Sequence, residues 1–446
     1  MSLGAVYEFS SGLSKPRSAF GFGYPFLSFK DVFYNSAVPR HLSELVNSTE
    51  RERECGSVMR GDVFLTRTSE TVDELGMSCV ALADVPNATF NGFTKRLRPK
   101  RARYVVPEFA RYYFRSSAFR QDVYAMSSPS TRASLNNEML GKLTITLPSY
   151  EEQIEIGNSL GVIDDRIDLL RETNTTLEAI AQALFKSWFV DFDPVHAKAE
   201  GREPEAMDAA TAALFPSEFE ESELGLTPKG WCRVPVGTIY DVGIGKTPPR
   251  KEAQWFSTET TDVPWASIRD MGSSGCFLAT TSEFLTREAI DRFHVRLVPE
   301  ETVLMSFKLT VGRLAITDCE MTTNEAIAHF KSKRGSLPQS YLYGFLRTFN
   351  MDSLGSTSSI ANATNSKAVR QIPLLYPSLA LAQVFDELAG PLIQRIRSEQ
   401  RQIATLATLR DTLLPRLISG KLRLSEATAE LGEAAQGNSK QAVCAP

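Results

Sequence analysis

Several short stretches of this sequence approach known chemical motifs, and each stops short of one. Phe20-Gly-Phe-Gly23 lacks one residue of the Phe-x-Gly-x-Gly loop with which adenine methyltransferases hold their methyl donor. No Asp-Pro-Pro or Asn-Pro-Pro is present to clasp a flipped base, and Asp193-Pro194-Val195-His196 does not substitute. Gly245-Lys246-Thr247 ends like a phosphate loop, but the glycine required five residues before Gly245 is Tyr240. The four histidines (His41, His196, His294, His329) are not clustered, and the six cysteines (Cys55, Cys79, Cys232, Cys276, Cys319, Cys444) form no C-x-x-C pair. This argues against a metal centre, a nucleophilic site and a disulfide framework. A chain that binds without catalysing is the expectation.

Binding chemistry is better represented. Four segments, GIGKTPPR from Gly243, VPWASIRDM from Val263, VLMSFKLTVGRLAIT from Val303 and TTNEAIAHF from Thr322, join strand-like runs to loops carrying Lys, Arg, Ser, Thr or Asn. An earlier series matches them in order: SSGLSKPR from Ser10, YPFLSFKDV from Tyr24, GDVFLTRTSET from Gly61 and NGFTKRLRP from Asn91. Hydroxyls, backbone N–H groups and cations bind phosphate, whereas Arg and Asn read base edges; ordinary surface loops share this composition. Lys246 and Arg250 are the expected phosphate grips, with Thr247, Lys308, Thr310, Arg313, Asn324, Ser358 and Ser359 beside them as DNA-facing residues. The counterparts in the earlier series are Lys15, Arg17, Lys30, Arg67, Thr68, Ser69 and Arg132. The densest basic run, Lys95, Arg96, Arg98, Lys100, Arg101 and Arg103, reads equally as a phosphate rail or as the solvated face of a strand and turn.

A net charge of −4 argues against a phosphate ligand until it is divided along the chain. Residues 1–145 carry +5, 146–229 carry −12, 230–371 carry +2 and 372–446 carry +1. Two mildly basic blocks around an acidic one suit two DNA-facing domains on a spacer that avoids DNA. The length of 446 residues exceeds what one core organises, and a hydrophobic share of 42% excludes collagen-like and wholly disordered classes. No window approaches about 18 consecutive apolar residues, and Met1 to Ser11 lacks the order of a secretory signal. A cytoplasmic protein without membrane contact is expected.

The elements that would position these loops repeat. Shifted by 229 residues, STRASLNNEMLGKLTITLPS falls on SIANATNSKAVRQIPLLYPS without a gap, and a long helical pattern follows each copy. In the first, Ile156, Leu160, Ile163, Ile167, Leu170, Asn174, Leu177, Ala181, Leu184 and Trp188 alternate spacings of four and three, the heptad seam of a coiled coil. Pro148 with Glu151 and Glu152 marks its start and Asp191-Phe-Asp-Pro194 its end, giving about 35 residues and roughly 50 Å. In the second, from about Ala380 to Ile418, Pro391 is expected to end or kink a first piece, and Ile396, Ile403, Leu406, Leu413 and Leu417 continue the seam. The two helices should pack antiparallel, leaving the globular blocks at opposite ends. Phe185, Trp188, Phe189 and Phe192 are either core or a partner surface.

In their order, TPKGW from Thr227, GIGKTPPR, VPWASIRD, SFKLTVGRLAI with TTNEAIA, and a helix ending LLPRLISGKLRL resemble the specificity subunit of type I restriction-modification systems. The resemblance runs from about Gly4 to Leu424, although PFLSFKDV replaces the usual Trp-containing strand. It implies an α+β fold: two globular α/β target-recognition domains separated by two long antiparallel helices forming a coiled coil, with a pseudo-two-fold internal repeat. The expected domains are 1–147 and 230–376 for recognition, 148–194 and 377–424 as helical spacers, 195–229 as an acidic linker with a short solvated helix, and 425–446 as a disordered tail. The implied partners are double-stranded DNA bearing an asymmetric bipartite target, two methyltransferase subunits and restriction translocase subunits. S-adenosylmethionine would belong to the methyltransferase, ATP and Mg to the translocase, and no cofactor to this chain. A coiled-coil scaffold that binds no DNA is the alternative.

Overall fold

A computed structural model describes residues 1–69, 74–126, 133–222, 225–354 and 366–422. Arg132, Ser358, Ser359 and the tail 425–446 lie outside them. The chain divides into two compact units, Met1–Ile167 with the chain from Thr405 onward, and Asp168–Ala404. The fold is α+β, and each unit joins a sheet block to part of each long helix.

The two sheet blocks share one plan. In the first unit, strands Tyr7–Ser11, Thr94–Pro99, Val63–Thr66 and Ser78–Val80 lie side by side in that order, all antiparallel. In the second, Asp241–Ile244, Ile327–Lys331, Val303–Ser306 and Leu314–Thr317 repeat the order, and Phe277–Leu278 adds a parallel edge strand. A short parallel pair accompanies each sheet: Phe26 and Leu27 against Thr89 and Phe90, Trp265 and Ala266 against Thr322 and Thr323. Both pairs run into a helix closed by a capping box, Ser28 with Asp31 and Ser267 with Asp270, in which side chain and backbone satisfy each other reciprocally. The motifs paired by sequence thus occupy equivalent positions, and Phe26 is buried where the second unit has Trp265.

The central helix, Tyr150–Phe189, has 40 residues, about 60 Å at the usual rise. Its seam holds: Ile156, Leu160, Ile163, Ile167 and Leu170 are buried, Leu177 and Leu184 half-buried, and Trp188 buried. The C-terminal helix, Leu379–Ile418, also has 40 residues and runs through Pro391 without a break. One lost N–H is outweighed there by burial of Ala389, Ile393 and Ile396 in the second unit's core. Further along, Leu413 is buried, and Ile403 and Leu406 are half-buried. The helices run antiparallel: in the second unit Phe185 meets Phe385 at 5.6 Å while Ala181 and Ile393 line one cavity, and in the first Asp164 meets Arg410 at 2.7 Å.

The acidic segment after the central helix is helical in part, as expected, but its apolar residues pack instead of standing in solvent. Helices Asp193–Ala199 and Ala209–Ala213 and a hairpin of Phe219–Ser222 with Gly225–Pro228 fold back within the second unit. Val195 and Phe215 are buried, and Trp188 and Phe215 meet edge to face at 5.2 Å. The negative residues face water while widely spaced apolar ones pack, a pattern that composition averages away. Phe185, Trp188 and Phe189 belong to this core and offer no partner surface.

Candidate nucleic-acid interface

In the second unit the loop motifs converge on one rim because backbone bonds tie them together. The Gly245 N–H donates to the Ile327 carbonyl at 3.1 Å and the Lys246 N–H to that of Thr323 at 2.9 Å. A Cβ on Gly245 would lie 2.2 Å from the carbonyls of Thr323 and Asn324, so only glycine permits this approach. The Asn324 N–H reaches the Ala266 carbonyl at 3.0 Å, and its side-chain oxygen accepts from the Ala326 N–H at 3.0 Å. Arg313 anchors the neighbouring hairpin, its Nη1 donating to the Ile268 carbonyl at 2.6 Å and its backbone N–H to Ser306 Oγ at 2.9 Å. Lys246, Thr247, Arg250, Lys308, Thr310, Arg313 and Asn324 are thereby brought onto linked turns.

Several of these side chains already have partners. Arg250 makes two bonds to Glu283, at 2.7 and 2.8 Å, and lies over the rings of Phe256 and Trp265 at 4.3 and 4.4 Å. The Glu283 carboxylate raises the pKa of this guanidinium above its ordinary value. Lys246 Nζ donates to the Phe293 carbonyl at 2.6 Å, and Thr247 Oγ1 bonds Glu325. Lys308 is half-buried, its Nζ 5.4 Å from the Phe307 ring centroid, and Thr310 is exposed. Arg269, exposed in the first turn of the helix capped by Ser267, is an addition to the rim. The motif pairing contained the signal, since Arg269 is the counterpart of Lys30.

The first unit builds the same rim. A Cβ on Gly12 would lie 2.3 and 2.4 Å from the carbonyls of Phe90 and Asn91, and the same interval separates Gly12 from Gly245 and Asn91 from Asn324. The Leu13 N–H donates to Phe90 and the Asn91 N–H to Leu27, at 2.8 and 3.0 Å, and Asn91 Oδ1 accepts from the Phe93 N–H at 2.7 Å. Arg17 and Lys30 are exposed. Lys15 is paired with Glu52 at 2.7 Å, and Arg67 bonds the Phe93 carbonyl through its backbone at 3.0 Å. Thr68 and Ser69 form a strand paired with Ala133–Ser134.

The basic run is neither a rail nor a solvated face in its inner half. Lys95 and Arg96 are each 7% exposed. Lys95 Nζ donates to Ser11 Oγ at 2.9 Å and Asn137 Oδ1 at 2.7 Å, with burial lowering its pKa. Arg98 is paired with the buried Asp62 at 2.6 Å. Lys100, Arg101 and Arg103 are the exposed members, and Lys100 Nζ donates to the Gly4 carbonyl at 2.7 Å.

Polar contacts hold each block to the central helix, buried in the first unit and partly exposed in the second. Asp164 accepts from Tyr112 Oη at 2.8 Å, Arg111 Nη2 at 2.9 Å and Arg410 Nη1 at 2.7 Å. In the second unit Glu178 accepts from Tyr343 Oη at 2.8 Å, with Arg347 at 3.5 Å. Burial pushes the Cys79 and Cys276 thiols up to about 12, which leaves both inert as nucleophiles. Among the described residues, no group of three or more His, Cys, Asp or Glu could hold a metal ion.

A family model described as type I restriction modification DNA specificity domain matches residues 14–179 and again 228–404. The chain belongs to that family. A type I restriction enzyme MjaIX specificity subunit from Methanocaldococcus jannaschii is 25% identical over 438 residues, covering 95% of this chain and 92% of that one. The HindI specificity subunit of Haemophilus influenzae is 27% identical over 365 residues, covering 72% and 78%. The S subunit of a type I system from M. genitalium shares the fold at a TM-score of 0.54 and 14% identity, with 94% and 95% covered. This chain is accordingly a specificity subunit, the non-catalytic part of a type I enzyme. No described helix is long and apolar enough to cross a membrane.

Proposed function

We propose that each unit's rim reads one half of an asymmetric bipartite DNA target. The observation that carries this reading is the recurrence of one backbone rim, built on Gly12 and Asn91 and again on Gly245 and Asn324, with different side chains mounted on it. A shared scaffold with divergent contacts suits two different half-sites, since phosphate contacts set register and base-edge contacts carry sequence. Residues 1–147 and 230–376 are the proposed recognition domains. Lys15, Arg17, Lys30, Arg67, Thr68, Ser69 and Arg132 face DNA in the first; Lys246, Thr247, Arg250, Lys308, Thr310, Arg313, Asn324, Ser358 and Ser359 do so in the second. Arg250 would exchange Glu283 for a phosphate oxygen on binding.

The helical regions 148–194 and 377–424 would recruit two methyltransferase subunits, which use S-adenosylmethionine, with ATP- and Mg-dependent restriction translocase subunits joining in the full cytoplasmic complex. Mapping methylated adenine genome-wide in cells with and without the chain, beside its methyltransferase, tests the reading. One asymmetric two-part motif that depends on the chain supports it; co-purifying subunits that leave no motif would point to a scaffold. The double variant Lys308→Ala, Arg313→Ala should weaken DNA binding on the order of tenfold while complex assembly persists. Unchanged affinity removes both residues from the interface.

A further inference from the structure

The rim of the second unit carries one side chain that neither phosphate gripping nor hydrogen bonding accounts for. Leu309 stands in the turn between strands Val303–Ser306 and Leu314–Thr317, 71% exposed, between Lys308 and Thr310. Its φ is +62°, in the left-handed region that a bulky side chain rarely occupies. A turn with no task beyond reversing the chain would place Gly or Asn there. The strain is held by bonds at the base of the turn. Ser306 Oγ donates to the Thr310 carbonyl at 2.5 Å and accepts the Arg313 N–H at 2.9 Å, while the Gly312 N–H returns to the Ser306 carbonyl at 2.9 Å. An apolar prong is thus fixed outward on a rigid base, flanked by polar groups of the kind that hold a DNA backbone.

Strained residues persist where the surrounding structure over-determines them, and they gather at functional positions. Leucine is among the side chains that proteins insert between base steps, where they unstack the pair and kink the duplex. We propose that Leu309 is such a wedge, entering one base step of the half-site read by the second unit and favouring steps that unstack at low cost, such as pyrimidine–purine. The inference rests on the DNA-reading function proposed above. The first unit presents its apolar group from a different loop: Phe93 is 58% exposed where the equivalent Ala326 is buried. Each unit would therefore deform its half-site at its own position.

The test uses the full chain with its methyltransferase and the mapped target duplex. 2-Aminopurine is placed at successive positions of the second unit's half-site, leaving the methylated adenine untouched. Wild-type binding should brighten the probe at one step. Leu309→Asn, which tolerates the left-handed backbone, should abolish the brightening and weaken binding on the order of tenfold. Leu309→Met should retain both effects, and Phe93→Ala should leave this probe bright. Brightening that persists in Leu309→Asn, or wild-type binding with no bright step, overturns the wedge alone. Wild type that fails to bind the duplex overturns the DNA-reading function together with it.

Discussion

At one sheet position the two units made different choices. In the first, Arg96 lies between Ser10 and Phe64; in the second, His329 occupies the same register between Gly243 and Leu304. Both are interior, at 7% and 0% exposure. Burial lowers the pKa of the Arg96 guanidinium, but from so high an ordinary value that it stays charged, and its long stem carries Nη1 to the Ser57 carbonyl at 2.7 Å. The imidazole is too short to escape and sits over bare Gly243, where a Cβ would lie 2.0 Å from His329 Cε1. Burial, with Arg296 adding repulsion, pulls its pKa down to about 4. One backbone lattice therefore admits a buried cation by reach and a buried base by neutrality, and only the second solution is sensitive to acid.

The largest expected effect concerns the contacts to the central helix. Asp164→Ala leaves Arg111, Tyr112 and Arg410 without their shared carboxylate and should destabilise the first unit by about 3 kcal/mol. Glu178→Ala removes a half-exposed partner from the second and should cost about 1 kcal/mol. Urea unfolding of both variants checks this, and equal losses would erase the difference between the two junctions.

His329 comes next. The folded chain keeps the ring neutral down to about pH 4, whereas the unfolded ring protonates near its ordinary value of 6.5. Stability is therefore complete above pH 6.5 and falls as pH drops toward 4, by on the order of 3 kcal/mol at most. Hydrogen exchange at pH 4.5 should accelerate in Ile327–Lys331 relative to pH 7, after correction for intrinsic rates, and much less in Thr94–Pro99. His329→Leu should remove that asymmetry.

Gly12→Ala and Gly245→Ala should each cost about 2 kcal/mol, because each Cβ meets two carbonyl oxygens. Each should impair recognition of only its own half-site; loss of both half-sites from either variant would break the assignment of one rim to one half. The smallest effect is expected at Arg250. Its exposed pair with Glu283 contributes about 0.5 kcal/mol, so Arg250→Ala should shift stability little while reducing the salt slope of DNA binding by about one.

Much of this organisation was legible in order and period. The heptad seam from Ile156 to Trp188 announced the central helix, since a 3.5-residue repeat of apolar side chains needs a partner helix. The paired motifs located both rims, because Gly, Asn and capping Ser are demanded by local backbone geometry. Continuity through Pro391 was not legible, since propensity there is overruled by the packing of Ala389 and Ile393. Nor was the packing of the acidic segment legible beyond its short helix, since Val195, Met207, Leu214, Phe215 and Phe219 join the core despite a strongly acidic composition.

The sequence by itself determined the heptad period of the central helix, the capping and glycine turns, the twofold order of the motifs and the family they belong to, because period, local backbone geometry and motif order are all written along the chain. Only the tertiary structure decided which cations are available to a ligand. Lys95, Arg96 and Lys308 look alike in a string of letters; the first two lie on opposite faces of a strand covered on both sides and bond Ser11 and Ser57, whereas Lys308 is left at a rim. A side chain's exposure is set by what packs across from it, and that partner lies many residues away.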